Sequence, residues 1–151
     1  MTQATADAPT PTTLQTAGRL LLGSALIAAG TAHLTFARDD FPAQVPDMLT
    51  DGPLHLSEDF IVVASGVAEI ALGTALLALP QHRRTLGWIS AGFFTAVFPG
   101  NVSQYLTHAD AFGLDTDGKR FVRLLFQPVL VAGALWTTGA LGSTEAGPRR
   151  R

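Results

Sequence analysis

The chain has 151 residues, of which 47% are apolar and 15% charged, against about 25% charged in an average soluble domain. Its mean hydropathy is +0.28, its formal net charge is -2, and it has no cysteine. These figures exclude a disordered chain, a basic nucleic-acid-binding surface, disulfides and thiolate metal sites.

Residues 1–15 are rich in Thr, Ala and Pro without an apolar period, and read as a flexible tail. From 20 to 37 run 18 residues whose one titratable group is His33. From 60 to 81 run 22 residues in which Glu69 is the one charge. From 85 to 109 come 25 residues without Asp, Glu, Lys or Arg, and from 124 to 144 another 21. A helix rises 1.5 Å per residue, so about 20 residues cross a hydrocarbon core of roughly 30 Å. The runs predict spans at 17–36, 59–79, 85–107 and 120–141. The fold class is therefore all-α, a four-transmembrane-helix bundle over residues 16–141. A tight turn at 80–84 joins the middle spans, and 142–151 is a flexible basic tail.

A soluble four-helix bundle would keep a polar stripe along each helix. Here Leu20, Leu21 and Leu22, then Ile61, Val62 and Val63, then Trp88, Ile89, Phe93, Phe94, Val97 and Phe98 put bulky apolar groups well around each helix. The loop 37–58 carries Pro42, Pro46 and Pro53 together with Phe41, Val45, Met48 and Leu49. Two readings of it stay open: a segment dipped into the membrane surface, or one packed across the end of the bundle.

With four spans, Arg19, Arg83, Arg84, Arg149, Arg150 and Arg151 share one side, opposite Arg38, Lys119, Arg120 and Arg123. That bias makes both termini cytoplasmic. A cleaved signal peptide around 19–32 fits less well, because the segment before Arg19 is long for a signal's charged region. The three terminal arginines read as a topology anchor or an anionic-lipid contact.

A charge near mid-bilayer costs at least about 2.5–3.5 kcal/mol, so it faces the bundle interior or a cavity. Glu69 lies halfway along the second span with Gly66 and Gly73 on the same helical face, and Ser65 flanks it. His33, Asn101, Gln104, Tyr105, Arg123 and Gln127 fall in the outer halves of the other three spans. Pro99 and Pro128 lie in the same zone, where each removes a backbone donor. Irregular backbone at that depth is tolerated where it lines a cavity. One reading is a buried Glu69–Arg123 ion pair, completed by Asn101 and Gln127, that sets helix register. The other is a ligand or proton-handling pocket, in which Asn101, Gln104, Tyr105, Arg123 and Gln127 bind the ligand and Glu69 and His33 are the catalytic, proton-exchanging groups. No Glu-x-x-His pair or His-Glu-x-x-His motif is present. His33, His55 and His108 share a side without metal-site spacing, so no metal is predicted.

At these residues the chain resembles a DoxX-like family of small bacterial integral membrane proteins. The resemblance rests on His33 with Phe36, Val45-Pro46, Ser65-Gly66 with Glu69 and Gly73, Val97-Phe98-Pro99-Gly100-Asn101, and Arg123-Leu124-Leu125-Phe126-Gln127-Pro128. It covers about residues 18–140, with Gly100 standing where alanine is expected. It implies a multi-pass protein of the bacterial inner (plasma) membrane. Some members of the broader group are subunits of quinone-linked oxidoreductases or associate with redox enzymes. The first expectation is thus an accessory or subunit of a membrane redox system that binds a lipophilic molecule, a quinone in this reading, in the outer half of the bundle. Arg123, Asn101 and Gln127 would donate hydrogen bonds to its carbonyl oxygens. The alternatives are a stand-alone isomerase or cyclase with Glu69 as the acid, and a structural or assembly partner.

Overall fold

In the computed structural model, which describes residues 10–142 except Ala37 and Leu54, three of the four long helices begin at a hydroxyl cap. Helix α1 spans Thr13–Leu34. The Thr12 hydroxyl accepts from the Gln15 backbone N–H at 3.1 Å, and the Gln15 side chain accepts from the Thr12 N–H at 3.0 Å. This reciprocal cap satisfies two of the donors a helix start leaves unpaired. It carries the helix four residues beyond the predicted start at 17, so 13–15 are helix and not tail. Residues 1–9 and 143–151, which hold most of both predicted tails and the three terminal arginines, lie outside the described residues.

A 3₁₀ turn, Phe41–Gln44, and a one-turn helix, α2 (Asp47–Thr50), follow. Helix α3 spans Glu58–Ala78 and is capped by Ser57, whose hydroxyl accepts from the Phe60 N–H at 3.2 Å. Glu58 and Asp59 in its first turn sit beside the positive end of the helix dipole. It stops where Pro80 excludes Leu79 from helical geometry. A 3₁₀ turn, Pro80–His82, leads into α4 (Arg83–Leu106). Helix α5 (Asp117–Thr137) begins at the cap Thr116. It ends at Gly139, whose φ of +66° allows the Gly139 N–H to reach the Trp136 carbonyl and the Ala140 N–H that of Leu135. That left-handed closure ends the helix four residues before the predicted limit at 141.

The four long helices form two pairs, α1 on α3 and α4 on α5. Glycines draw the first pair together. A Cβ at Gly23 would lie 2.9 Å from the Gly73 carbonyl oxygen, and one at Gly66 would lie 2.8 Å from the His33 Cβ. The pairs are bound to each other at one end, the base. There Leu26, Leu72, Leu76, Leu86, Phe94 and Ala134 form the apolar core. Gln15 donates across the pairs to the Trp136 carbonyl at 3.1 Å, while Arg19, donating to the Leu76 carbonyl, ties α1 to α3, and Arg84, donating to the Gly139 carbonyl at 2.9 Å, ties α4 to the turn after α5. At the opposite end, the roof, the 3₁₀ turn Phe41–Gln44 packs against α3 and α4.

Several polar side chains turn inward, and many large apolar ones turn outward. Ser90, Asn101, Gln104, Arg120, Gln127 and Thr138 are buried, while Leu21, Trp88, Ile89, Val122, Leu125, Val129 and Trp136 are exposed. The described residues are all-helical with no strand. Two helices, α1 and α3, are long and apolar enough to cross a membrane. Helices α4 and α5, of 24 and 21 residues, are as long.

Candidate functional site

Under the roof the four long helices line a cavity of about 410 Å³. Ala29, Val62, Phe93, Phe94, Val97 and Leu130 supply apolar wall, and His33, Glu69, Asn101, Arg123 and Gln127 supply polar groups from all four helices. Five of the seven residues singled out from the sequence thus meet at one site.

Helix α1 delivers His33 and α3 delivers Glu69 across their glycine crossing. His33 Nδ1 lies 3.0 Å from the Ala29 carbonyl oxygen. A carbonyl only accepts, so Nδ1 carries a proton. The same nitrogen is 2.8 Å from Glu69 Oε2, and both side chains are buried. That oxygen receives no hydrogen bond of ordinary geometry. The Nδ1–H therefore points to the Ala29 carbonyl, with the Glu69 carboxylate in close contact beside it.

The roof is tied into this pair. The Phe41 ring stacks on the His33 imidazole with centroids 3.2 Å apart and planes inclined by 21°. Phe112, from the α4–α5 connection, meets Phe41 edge-on at 4.6 Å. The Arg123 guanidinium lies over the Phe112 ring, 5.1 Å from its centroid, within cation–π range. Contacts thus run from Glu69 through His33, Phe41 and Phe112 to Arg123. The Glu69–Arg123 ion pair read from the sequence is absent. Histidine takes the carboxylate because Gly66 lets α1 approach it, and two phenyl rings intervene on the way to Arg123.

Across the cavity Asn101 Nδ2 donates to Gln127 Oε1 at 2.9 Å, and Gln127 Nε2 donates to the Phe94 carbonyl. The second bond binds α5 to the turn of α4 that leads into Pro99. Both helices continue through their prolines. Gly100 is the close-approach point for the roof: any Cβ there would collide with the Gln44 carbonyl. That contact accounts for glycine where alanine is expected. Phe41, Gln44, Val45 and Leu49 all line the cavity. These four side chains thus pack across the bundle end, while Met48 of the same loop is exposed.

Gln104 and Tyr105, expected as ligand-binding residues, are outside the cavity wall. Gln104 is 1% exposed and directs Nε2 to the Ala109 carbonyl at 3.4 Å. It belongs to the closure of α4, where His108 takes a left-handed φ of 55° and the Ala109 N–H reaches the Gln104 carbonyl. Arg120, buried and read from the sequence only as a topology charge, donates to the same Ala109 carbonyl at 3.3 Å and pairs with Asp110 and Asp117. Tyr105 faces Phe121 with ring centroids 6.2 Å apart. Spacing along a helix placed both residues at the right depth but on the wrong side. Phe112 was missed; its one clue is that it is the lone phenyl ring in the α4–α5 connection.

His108 Nδ1 lies 2.7 Å from Asp117 Oδ1, and this hydrogen bond holds the Asp117 carboxyl below its ordinary value. Among the described residues no three His, Asp or Glu side chains are gathered to hold a metal ion.

No curated protein and no solved structure matches the chain. The model of one family, a domain of unknown function, matches residues 22–138. That stretch holds α3, α4, α5, the greater part of α1 and every residue of the cavity wall. A match of this extent makes the chain a member of the domain-of-unknown-function family DUF8561.

Proposed function

We propose that the chain is a four-span integral membrane protein, resembling the DoxX-like group, that holds a lipophilic molecule in the cavity under its roof. The four-span reading is supported by the apolar residues exposed along α4 and α5. The exposed faces of α4 and α5 carry Trp88, Ile89, Val122, Leu125, Val129 and Trp136, while their asparagine and glutamines turn inward. Lipid suits such a surface and water does not. In this reading the roof faces away from the cytoplasm of a bacterial plasma membrane, and both termini are cytoplasmic.

The single observation that carries the ligand reading is the cavity itself: apolar walls with a few convergent polar groups, in the volume range of small-molecule sites. Arg123, Asn101 and Gln127 offer donors on one side, and His33 with Glu69 offers a proton-exchanging pair on the other. A quinone is the class that the resemblance implies, and an accessory role in a membrane redox system follows from it. Titration of the detergent-solubilised protein with decylubiquinone tests this. The expected result is saturable thermal stabilisation that Asn101→Leu weakens at least tenfold; absence of any shift in the wild type overturns the quinone reading.

The close His33–Glu69 contact favours one second reading, a stand-alone acid–base enzyme acting on a lipophilic substrate. Turnover of such a substrate by the purified chain without a redox partner, abolished by Glu69→Gln, would select it over the accessory role.

A further inference from the structure

Arg123 differs from every other described cation of the chain. Arg38, Lys119 and Arg120 each pair with a carboxylate. Arg19 and Arg84 donate to carbonyls that end helices or turns, and Arg83 is bonded as well. Arg123 is half-buried on the cavity wall and meets no acceptor among the described residues; its contact is the face of Phe112. The other ionic groups of the cavity, His33 and Glu69, face one another. The cavity therefore presents one guanidinium whose five donors are open to an occupant.

The cavity also opens sideways. Phe126 belongs to its wall and yet is 56% exposed on the apolar flank of α5. Ala96 likewise lines it from an exposed position on α4. Phe41, Val45, Leu49 and Phe112 close the roof. The open way in thus leads from the apolar outer surface, a route for a hydrocarbon chain and not for a hydrated ion.

Resting on the membrane-embedded reading above, we propose that the occupant is an amphiphile with an acidic head group. Its carboxylate or phosphate is held by Arg123, and its alkyl chain passes out beside Phe126. This narrows the ligand from a neutral quinone to an anion, because a partly desolvated guanidinium gains most from a charged, bidentate acceptor.

The test is displacement of a fluorescent acid, 11-(dansylamino)undecanoate, from the full chain in a neutral maltoside detergent. Dodecanoate is expected to displace it at least tenfold more effectively than methyl dodecanoate. Arg123→Gln should lose at least tenfold in affinity, with Arg38→Gln as wild type. Lauroyl lysophosphatidylglycerol, run beside dodecanoate, separates a lipid head group from a free acid as the source; displacement by either supports the proposal. Equal potency of acid and ester overturns it, and that comparison uses the wild-type chain alone, so it stands even where Arg123→Gln fails to fold. Decylubiquinone binding with no binding of either acid overturns the acidic head group and leaves the lipophilic pocket standing. Failure of every probe and of decylubiquinone overturns both.

Discussion

His33 joins three structures at once: the Ala29 carbonyl of its own helix, the Glu69 carboxylate of α3 and the Phe41 ring of the roof. Removing one partner of a close buried polar contact leaves the other group without a partner, which costs about 1–3 kcal/mol. His33→Ala is expected to lower the thermal unfolding midpoint in detergent more than Glu69→Gln does, since it also strips the stack from Phe41. The double variant should be less destabilised than the sum of the two, and a double-mutant cycle measures that coupling. Outside the bundle, His108 lowers the Asp117 carboxyl chiefly by hydrogen bonding, opposed by a smaller desolvation. A lowered carboxyl contributes stability above its unfolded value and loses it as pH falls through the folded one. Asp117 is therefore expected to titrate below the ordinary 3.8 in a carbon-detected NMR titration, and to move back toward it in His108→Ala. Glu69 and Arg123 were legible as site residues because an ionisable group in an apolar run is expensive. Their partners were not, since pairing depends on which neighbouring helix reaches them first.

The helix pair α1–α3 is built on four glycines that meet two by two, Gly23 with Gly73 and Gly30 with Gly66. The spacing of seven residues in each helix keeps both contacts on one face. Leucine at Gly30 would press on the Gly66 carbonyl and on Ile70 and Glu69, and overpacking of this kind typically costs about 1–3 kcal/mol. Gly30→Leu should accordingly unfold earlier and disturb the His33–Glu69 contact. Gly133→Ala, where a new Cβ meets nothing, should be neutral or stabilising by up to about 1 kcal/mol. Parallel thermal melts of the two variants check both expectations. Along α4 the same depth carries opposite fates. Asn101 turns to Gln127 and the cavity, and Gln104, three residues on, turns to the Ala109 carbonyl that closes the helix. Apolar run length was enough to find α4, but not to tell these two amides apart, because the left-handed turn at His108 recruits one of them.

At the scale of the molecule, the two helix pairs are tied at the base by the core around Leu76 and by the bond from Gln15 to the Trp136 carbonyl, while Arg19 and Arg84 each brace one pair from within. The cavity lies between the pairs toward the roof. The four-span topology predicts that Gln81 and Asp115 lie on opposite sides of the membrane. The chain has no native cysteine, so Gln81→Cys and Asp115→Cys can be labelled singly with an impermeant maleimide in intact cells. Labelling at 115 and protection at 81 is the expected pattern; the same reactivity at both would contradict it. What composition and run length determined unaided is the all-helical architecture, the helix positions to within about four residues and the presence of costly polar groups inside, because these follow from local hydrogen bonding and from the expense of burying charge. What the tertiary structure alone decided is the company those groups keep. The histidine displaced the arginine as the partner of Glu69, the proline-rich loop became a roof, and Phe112 was brought under Arg123. Each of those outcomes depends on the approach of segments far apart in the chain, which no local periodicity encodes.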